Sequence, residues 1–245
     1  MNLRYKISLV MPAYNEEESI ERAIKTSVDF LSAFTSDYEI IIVNDASCDL
    51  TGQIADKYAY FNPNIKTIHN KDNLGSGRSL FLGVKRAQYD FILTNFADLP
   101  FDIKELPAAL ALLEERDIDF VVAMRKNRKA NSLYRKITSL ANYWLIRLLF
   151  NLKVSDFQFV QIYKKKVIEQ MDVRSYGTFA APELIIRALD KGFKMREYNA
   201  VFHPRLSGSA KCGSPRIILQ TLSEVVMFWC IRLASFHNCA KSGNV

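Results

Sequence analysis

FILTNFADLP, residues 91–100, opens as a short apolar run and closes on an acid, Asp98, followed by Leu99 and Pro100. A strand covered on both faces of a parallel sheet reads as an unbroken apolar run, and ligands of open α/β sheets gather at the carboxyl ends of such strands. Asp98 therefore has two readings: a carboxylate sited to hold a metal or a diphosphate complex, or a cap for a helix beginning near Asp102.

Working outward, the same unit recurs. Residues 6–11 (KISLVM) read as a strand, and after Pro12-Ala13-Tyr14-Asn15 a helix runs to about Phe34 with Ile20, Ile24, Val28 and Leu31 at helical spacing. Asn15 fits the N-cap of that helix, with Glu16, Glu17 and Glu18 in its positive first turn. Residues 38–43 (YEIIIV) form a second strand ending in Asn44-Asp45, and Asp49 or Thr51 opens the next helix. Ile65 to Ile68 is a third strand, and the loop NKDNLGSG (70–77) enters a helix carrying Leu80, Val84 and Ala87. Beyond residue 100, IDFVVAM (118–124) is a further strand ending at Arg125. The βαβαβαβ alternation predicts an α/β fold, a mostly parallel central sheet with helices on both faces.

The chain is 245 residues long, enough to bury a sizeable core in one large α/β domain or two small ones. Its 24% of charged residues beside 49% hydrophobic ones argues against disorder. The formal charge of +7 suits an anionic partner without choosing which. Cys48, Cys212, Cys230 and Cys239 are scattered, so neither a disulfide framework nor a zinc site is expected and a reducing cytosol is the default. The N-terminus turns acidic too early for a signal peptide. Gly75-Ser76-Gly77 lacks the third glycine of a dinucleotide fingerprint, and there is no P-loop, no Gly-x-Ser-x-Gly elbow and no His-Glu-x-x-His.

Four stretches taken together, VMPAYNEEESI (10–20), VNDASCDLT (43–51), NLGSG (73–77) and FADLP (96–100), resemble the family 2 glycosyltransferases of the GT-A fold. The order matches P-x-Y-N-E, D-D-G-S-x-D-x-T, N-x-G-x-G and D-x-D across roughly residues 6–210, and the branch most similar is that of the polyprenyl-phosphate sugar transferases, dolichyl-phosphate mannose synthase-like. The resemblance implies an inverting enzyme that moves a sugar from a UDP- or GDP-linked nucleotide sugar to polyprenyl phosphate, with Mg2+ or Mn2+ as cofactor. It implies donor contacts from Pro12, Tyr14, Asn15, Glu16, Asp45, Gly75, Gly77 and Asp98, and from His203, Arg205 and Lys211 in a basic loop. Asp98 is the metal ligand it implies. Asp45 could accept a hydrogen bond from a base imide or simply form a turn, and the two glycines could admit a nucleotide or serve a tight turn.

Departures from the pattern are informative. Asn44 replaces the first acid of the second motif, Ala46 its glycine, and Phe96 the first acid of D-x-D. A phenyl ring coordinates no cation, yet magnesium is often held by one or two carboxylates plus substrate phosphates. A catalytically impaired nucleotide-binding subunit is therefore one alternative reading, and transfer to a non-lipid hydroxyl acceptor is another. The latter needs a carboxylate base, for which Asp156 and Glu183 are the candidates.

For the acceptor, residues 125–139 (RKNRKANSLYRKITS) are basic without an acid. The resemblance implies that Arg125, Arg135 and Ser139 grip the acceptor phosphate, the last two sharing a helical face; with Asp98 they form the expected catalytic set. In DFQFVQIYKKK, Asp156 is kept while Phe159, Val160 and Gln161 replace a glycine, an aromatic and a base. LANYWLIRLLFNL (140–152) is apolar nearly all round and fits an interfacial or a core helix. The expected organisation is a catalytic domain over 1–212, with a nucleotide-sugar half (1–100) and an acceptor half (101–212), then a C-terminal helix and tail (213–245). Glu224 and Arg232 interrupt that helix, so no transmembrane span is expected. A cytoplasmic protein, peripheral on the cytoplasmic face of a membrane, with a possible membrane subunit and no nucleic acid partner, completes the expectation.

Overall fold

The computed structural model describes residues 5–125, 133–202 and 215–242, apart from the side chains of 133–137, 139, 215–216 and 235–242. Seven strands form one sheet in the order β3-β2-β1-β4-β6-β5-β7. They are β1 (Lys6–Ala13), β2 (Asp37–Asn44), β3 (Ile65–His69), β4 (Phe91–Thr94), β5 (Phe120–Arg125), β6 (Gln161–Lys164) and β7 (Met195–Ala200). The helices are α1 (Ile20–Phe34), α2 (Thr51–Phe61), α3 (Ser76–Arg86), α4 (Leu106–Glu114), α5 (Leu133–Phe150), α6 (Lys165–Glu169), α7 (Ala180–Asp190) and α8 (Pro215–Ser242).

Side-chain alternation along the strands divides the core into two layers. Ile7, Leu9 and Met11 of β1 and Ile40 and Ile42 of β2 pack under α1, α2 and α4. Val10, Ile41, Val43, Ile92, Val122 and Tyr163 face the opposite layer, built from α3, α5, α6, α7 and α8. Both layers are apolar, so the inner strands β1, β2, β4 and β5 read as nearly continuous hydrophobic runs, while β3 and β7 at the sheet edges are mixed.

All pairings are parallel except those of β6, which runs antiparallel between β4 and β5. This short strand escaped the sequence reading, because four residues carry too little alternation to separate a strand from a loop. Inserting one reversed strand leaves β4 and β5 parallel to each other. The carboxyl ends of β1, β2, β3, β4, β5 and β7 therefore share one edge of the sheet with the amino end of β6.

Three boundaries differ from expectation. Helix α1 begins at Ile20 after a turn over 16–19, because Asn15 takes a left-handed φ of 50° and its side chain bonds elsewhere. Pro12 lies inside β1 opposite Val43, beyond the stretch paired with β4, where a missing N–H is tolerated. Asp102 accepts from the Lys104 amide and so caps the 3-10 turn Ile103–Glu105 itself, a task that therefore does not fall to Asp98. Along α8, residues 217–234 are by length and composition apolar enough to cross a membrane even with Glu224 and Arg232, and 22% of that window is buried.

Candidate active site

The loops after β1 and β2 are stitched together by reciprocal hydrogen bonds. The Asn15 amide donates to Ser47 Oγ (3.0 Å), while Asn15 Oδ1 accepts from the Cys48 amide (2.9 Å). The Glu16 amide donates to Thr51 Oγ1 (2.8 Å), and the Glu17 amide to Asp49 Oδ2 (3.1 Å). Burial pushes the Asp49 carboxyl up, but the bonds from Thr51 and the Glu17 amide outweigh it and hold it below the usual carboxylate range. Asn15 and Glu16, expected as donor contacts, thus first serve as loop staples; Tyr14 stands half-buried above them. Ala46, where the resembled family has glycine, sits at φ 57°. Ala46→Gly is expected to stabilise the fold by about 0.5–1 kcal/mol, since L-residues are strained there and glycine is not. A thermal melt checks it, the expected rise being about 2–4 °C.

Asp45 is buried at 2% exposure and faces the chain's own loop. Its Oδ1 accepts from Asn70 Nδ2 and the Leu74 amide, both at 2.8 Å, and its Oδ2 from the Gly75 amide at 2.9 Å. The carboxylate expected to read a base fastens the 70–75 loop, three of its acceptor positions being taken. Asp45→Asn, nearly isosteric, turns an amide NH2 toward those donors. A loss of about 2 kcal/mol in urea unfolding is expected, with nucleotide binding weakened as a consequence; an unchanged urea midpoint beside weaker binding would return Asp45 to the base.

Gly75 and Gly77 answer a similar need. A Cβ on Gly77 would meet Gly177 O at 2.2 Å, and one on Gly75, at φ 86°, would meet Tyr176 O at 2.7 Å. The glycines therefore admit the backbone of 176–177, which also accepts from the Arg78 amide through Tyr176 O (3.1 Å). This 173–179 strap is fastened from behind. Glu183 accepts from the Arg174 and Ser175 amides and from Arg187 Nε, and Glu224 Oε1 of α8 accepts from the Tyr176 and Gly177 amides, both at 3.1 Å. Asn70 and Glu224 were missed from sequence; only the buried-side phase of Glu224 in an apolar helix marked it.

Beyond β4 the chain turns through Phe96, Ala97, Asp98 and Leu99, closed by the Leu99 amide donating to Phe96 O (2.9 Å). Asn95, fully buried, ties the turn by donating to Phe101 O and accepting from the Phe96 amide. Leu99 has φ 50°, so Asn15, Ala46 and Leu99 place three left-handed non-glycine residues on one rim; strain of this kind clusters at functional sites. Among the described residues no group of three or more His, Cys, Asp or Glu could hold a metal. The donor set at Asp98 fits a cation that takes its other oxygens from a bound diphosphate.

On the acceptor side, Arg125 closes β5 and makes a two-point ion pair with buried Asp156, Nε to Oδ2 at 2.7 Å and Nη2 to Oδ1 at 3.1 Å. The guanidinium lies over the rings of Phe159 (5.6 Å) and Phe202 (5.7 Å). Its Nη1 edge is what remains to meet an anion. Gln161, where the family has a base, is buried and donates to Phe157 O and Phe159 O, holding that aromatic turn. Neither Asp156, committed to Arg125, nor Glu183, 1% exposed and committed to the strap, is placed as a general base. The side chains of Arg135 and Ser139 and the residues His203, Arg205 and Lys211 lie outside the described residues. The structure thus brings Tyr14, Asn15, Glu16, Asp45, Gly75, Asp98 and Arg125 to one sheet edge; β4 and β5 are two strand spacings apart, about 10 Å.

The model of the family "Glycosyl transferase family 2" matches residues 8–171. The dodecaprenyl-phosphate galacturonate synthase of Rhizobium johnstonii is 29% identical over 91% of the chain and 67% of its own length. The undecaprenyl-phosphate 4-deoxy-4-formamido-L-arabinose transferase of Proteus mirabilis is 30% identical over 68% of the chain, which spans only 51% of that relative. Among solved structures, glucosyl-3-phosphoglycerate synthase of Mycobacterium tuberculosis with Mn2+, UDP-glucose and phosphoglyceric acid superposes with a TM-score of 0.66 at 18% identity, over 91% of this chain and 80% of that one.

Proposed function

Because the chain belongs to glycosyl transferase family 2 and has the GT-A fold, we propose that it is an inverting glycosyltransferase that moves a sugar from a nucleotide sugar to polyprenyl phosphate. The observation that carries the acceptor reading is the state of its carboxylates. A hydroxyl acceptor needs a base, and Asp156 and Glu183 are both spent on internal hydrogen bonds. A phosphate monoester is already ionised near neutrality, its second pKa being about 6, and needs none. The two relatives named for polyprenyl-phosphate acceptors support the same choice.

In the proposed reaction a phosphate oxygen attacks the anomeric carbon as the bond to the nucleoside diphosphate breaks on the opposite side. Arg125, aimed by Asp156, orients the acceptor phosphate; Arg135 and Ser139 complete the grip. Tyr14 and the stapled loops over 14–19 and 45–51 receive the nucleoside, and the 70–77 loop faces its phosphates. Asp98 would hold a Mg2+ or Mn2+ ion, which when bound neutralises charge on the departing diphosphate. His203, Arg205 and Lys211 are proposed to share that task. The protein is proposed to act from the cytoplasm on a membrane surface, as the catalytic domain over 1–212 followed by its C-terminal helix.

The test supplies the purified protein with polyprenyl phosphate in detergent and a panel of radiolabelled UDP- and GDP-sugars. A labelled, mild-acid-labile lipid is expected. Label appearing only in a water-soluble product would favour the hydroxyl acceptor, and no turnover with any donor would favour a nucleotide-binding subunit.

A further inference from the structure

We propose that His69 is a positioning residue for the donor: with Asp56 and Asn44 it forms a hydrogen-bonded relay that holds the 44–48 turn in its donor-receiving shape only while the imidazole is neutral. The direction of every bond follows from one backbone group. The Ser47 amide can only donate, and it meets Asn44 Oδ1 at 3.1 Å. The other end of that side chain, Nδ2, therefore donates, and it meets His69 Nδ1 at 3.0 Å. Nδ1 must then carry a lone pair, which leaves the ring proton on Nε2, 2.9 Å from Asp56 Oδ1. Asp56 also accepts from Thr67 Oγ1 at 2.8 Å. Burial pushes the Asp56 carboxyl up, but the bonds from His69 and Thr67 outweigh it and hold it below the usual carboxylate range.

The relay ends at the stapled rim. Ser47 Oγ accepts from the Asn15 amide, Asn15 Oδ1 accepts from the Cys48 amide, and Ala46 holds its left-handed φ beside them. Asn44 is 7% exposed, and a Cβ on Gly52 would meet its Nδ2 at 2.7 Å, so the side chain is packed where it stands. The His69 side chain, 42% exposed, is open to protons from solvent. A proton arriving at Nδ1 would face the Asn44 NH2, donor against donor. The ring keeps Asp56, the Asn44 side chain has to turn over or withdraw, and the Ser47 amide loses its acceptor.

Neighbouring charges leave this balance in place. Asp45, beside Asn44 in sequence, is turned to Asn70, Leu74 and Gly75, and Lys71 and Asp72 are exposed in the loop that follows. The departure from an acid at position 44 thereby gains a reason. A carboxylate there would repel the Nδ1 lone pair and favour the doubly protonated ring, so Asn44 and His69 are a matched pair. The consequence for nucleotide rests on the donor reading of the 14–19 and 45–51 loops; the relay itself does not.

Two measurements on the full chain test it. Long-range nitrogen–proton NMR without nucleotide reads the His69 tautomer, the signal being identified by its loss in His69→Asn. A proton on Nε2 is expected at neutral pH, and one on Nδ1 would overturn the relay. Calorimetry with UDP and GDP across the imidazole range, about pH 5 to 8, reads the consequence. Diphosphates take up protons in the same range, so variants are compared with one another. His69→Asn puts a carbonyl oxygen in the place of Nδ1 and is expected to keep the neutral-pH affinity. The wild type is expected to lose about fivefold more affinity than this variant at the acid end, the scale of one lost hydrogen bond. Asn44→Asp is expected to reverse the sign, gaining affinity relative to His69→Asn as pH falls. Equal acid losses in wild type and His69→Asn, both folded by circular dichroism, would overturn the proposal. Absence of binding to either diphosphate at every pH would overturn the donor reading and this role for His69 with it, while a proton on Nε2 would leave the relay standing.

Discussion

Arg125→Ala is expected to remove most acceptor affinity, raising the Michaelis constant for polyprenyl phosphate at least tenfold while the dissociation constant for the nucleoside diphosphate stays put. The same change deprives buried Asp156 of both its bonds to Arg125. Breaking a buried pair from one side costs about 3–5 kcal/mol, and because a quarter of the Arg125 side chain is exposed the lower end applies. Stability and affinity must therefore be separated. Arg125→Met combined with Asp156→Leu removes both charges, and urea unfolding is expected to recover much of the loss. Lipid-phosphate kinetics of that double variant decide the role: a side chain that only braces the turn would regain acceptor affinity along with stability. A phosphate ligand would not, and Arg125→Lys is expected to rescue poorly, because an ammonium cannot span both oxygens of Asp156 and still present an edge to an anion.

Asp98→Asn is expected to cut turnover by about 10²–10³-fold, the scale of removing one transition-state electrostatic contact. Its amide keeps the size of the side chain but is a poor ligand for a hard cation. Titration of turnover with Mn2+ is the direct measurement: the variant is expected to need much more metal, or to respond to none. The reverse change, Phe96→Asp, restores a second carboxylate two residues earlier and is expected to lower the metal concentration for half-maximal turnover. Activity that is indifferent to chelation and survives Asp98→Asn would remove both the metal and this residue from the mechanism.

Strands β1 to β5 were legible as short runs rich in apolar residues, whereas β7 (MREYNA), a half-exposed edge strand, carried no such run and was not read. The first four βα units follow from periodicity within short windows. What could not be read was anything whose partner lies far along the chain. Asn15, Asp45, Gly75 and Gly77 were rightly marked as unusual, yet their contacts are Cys48, Leu74 and the backbone of Tyr176 and Gly177. A pattern fixes residue type and position; it does not say whether a carboxylate points at a ligand or at the next loop. Strand β6 was missed for a different reason: its four residues are placed by pairing with both β4 and β5 rather than by their own propensity. In α5 the all-round apolarity concealed two environments, since Ile146 and Phe150 are core while Leu140, Trp144 and Leu148 are outside.

The strap between Gly75 and Glu224 bears on the order in which the protein is made. The loop over 70–77 leaves the ribosome early, but its backing at Tyr176 and Gly177 comes about a hundred residues later and the carboxylate behind that backing later still. Domains generally condense from the N-terminus as they emerge, so a nascent chain can assemble β1 to β4 and still own an open, unsupported glycine loop. On the proposed donor site, nucleotide competence then waits for α8, which brings Glu224 to the backing. A ribosome stalled before residue 215 would display a folded sheet whose glycine loop still lacks the Glu224 carboxylate behind its backing.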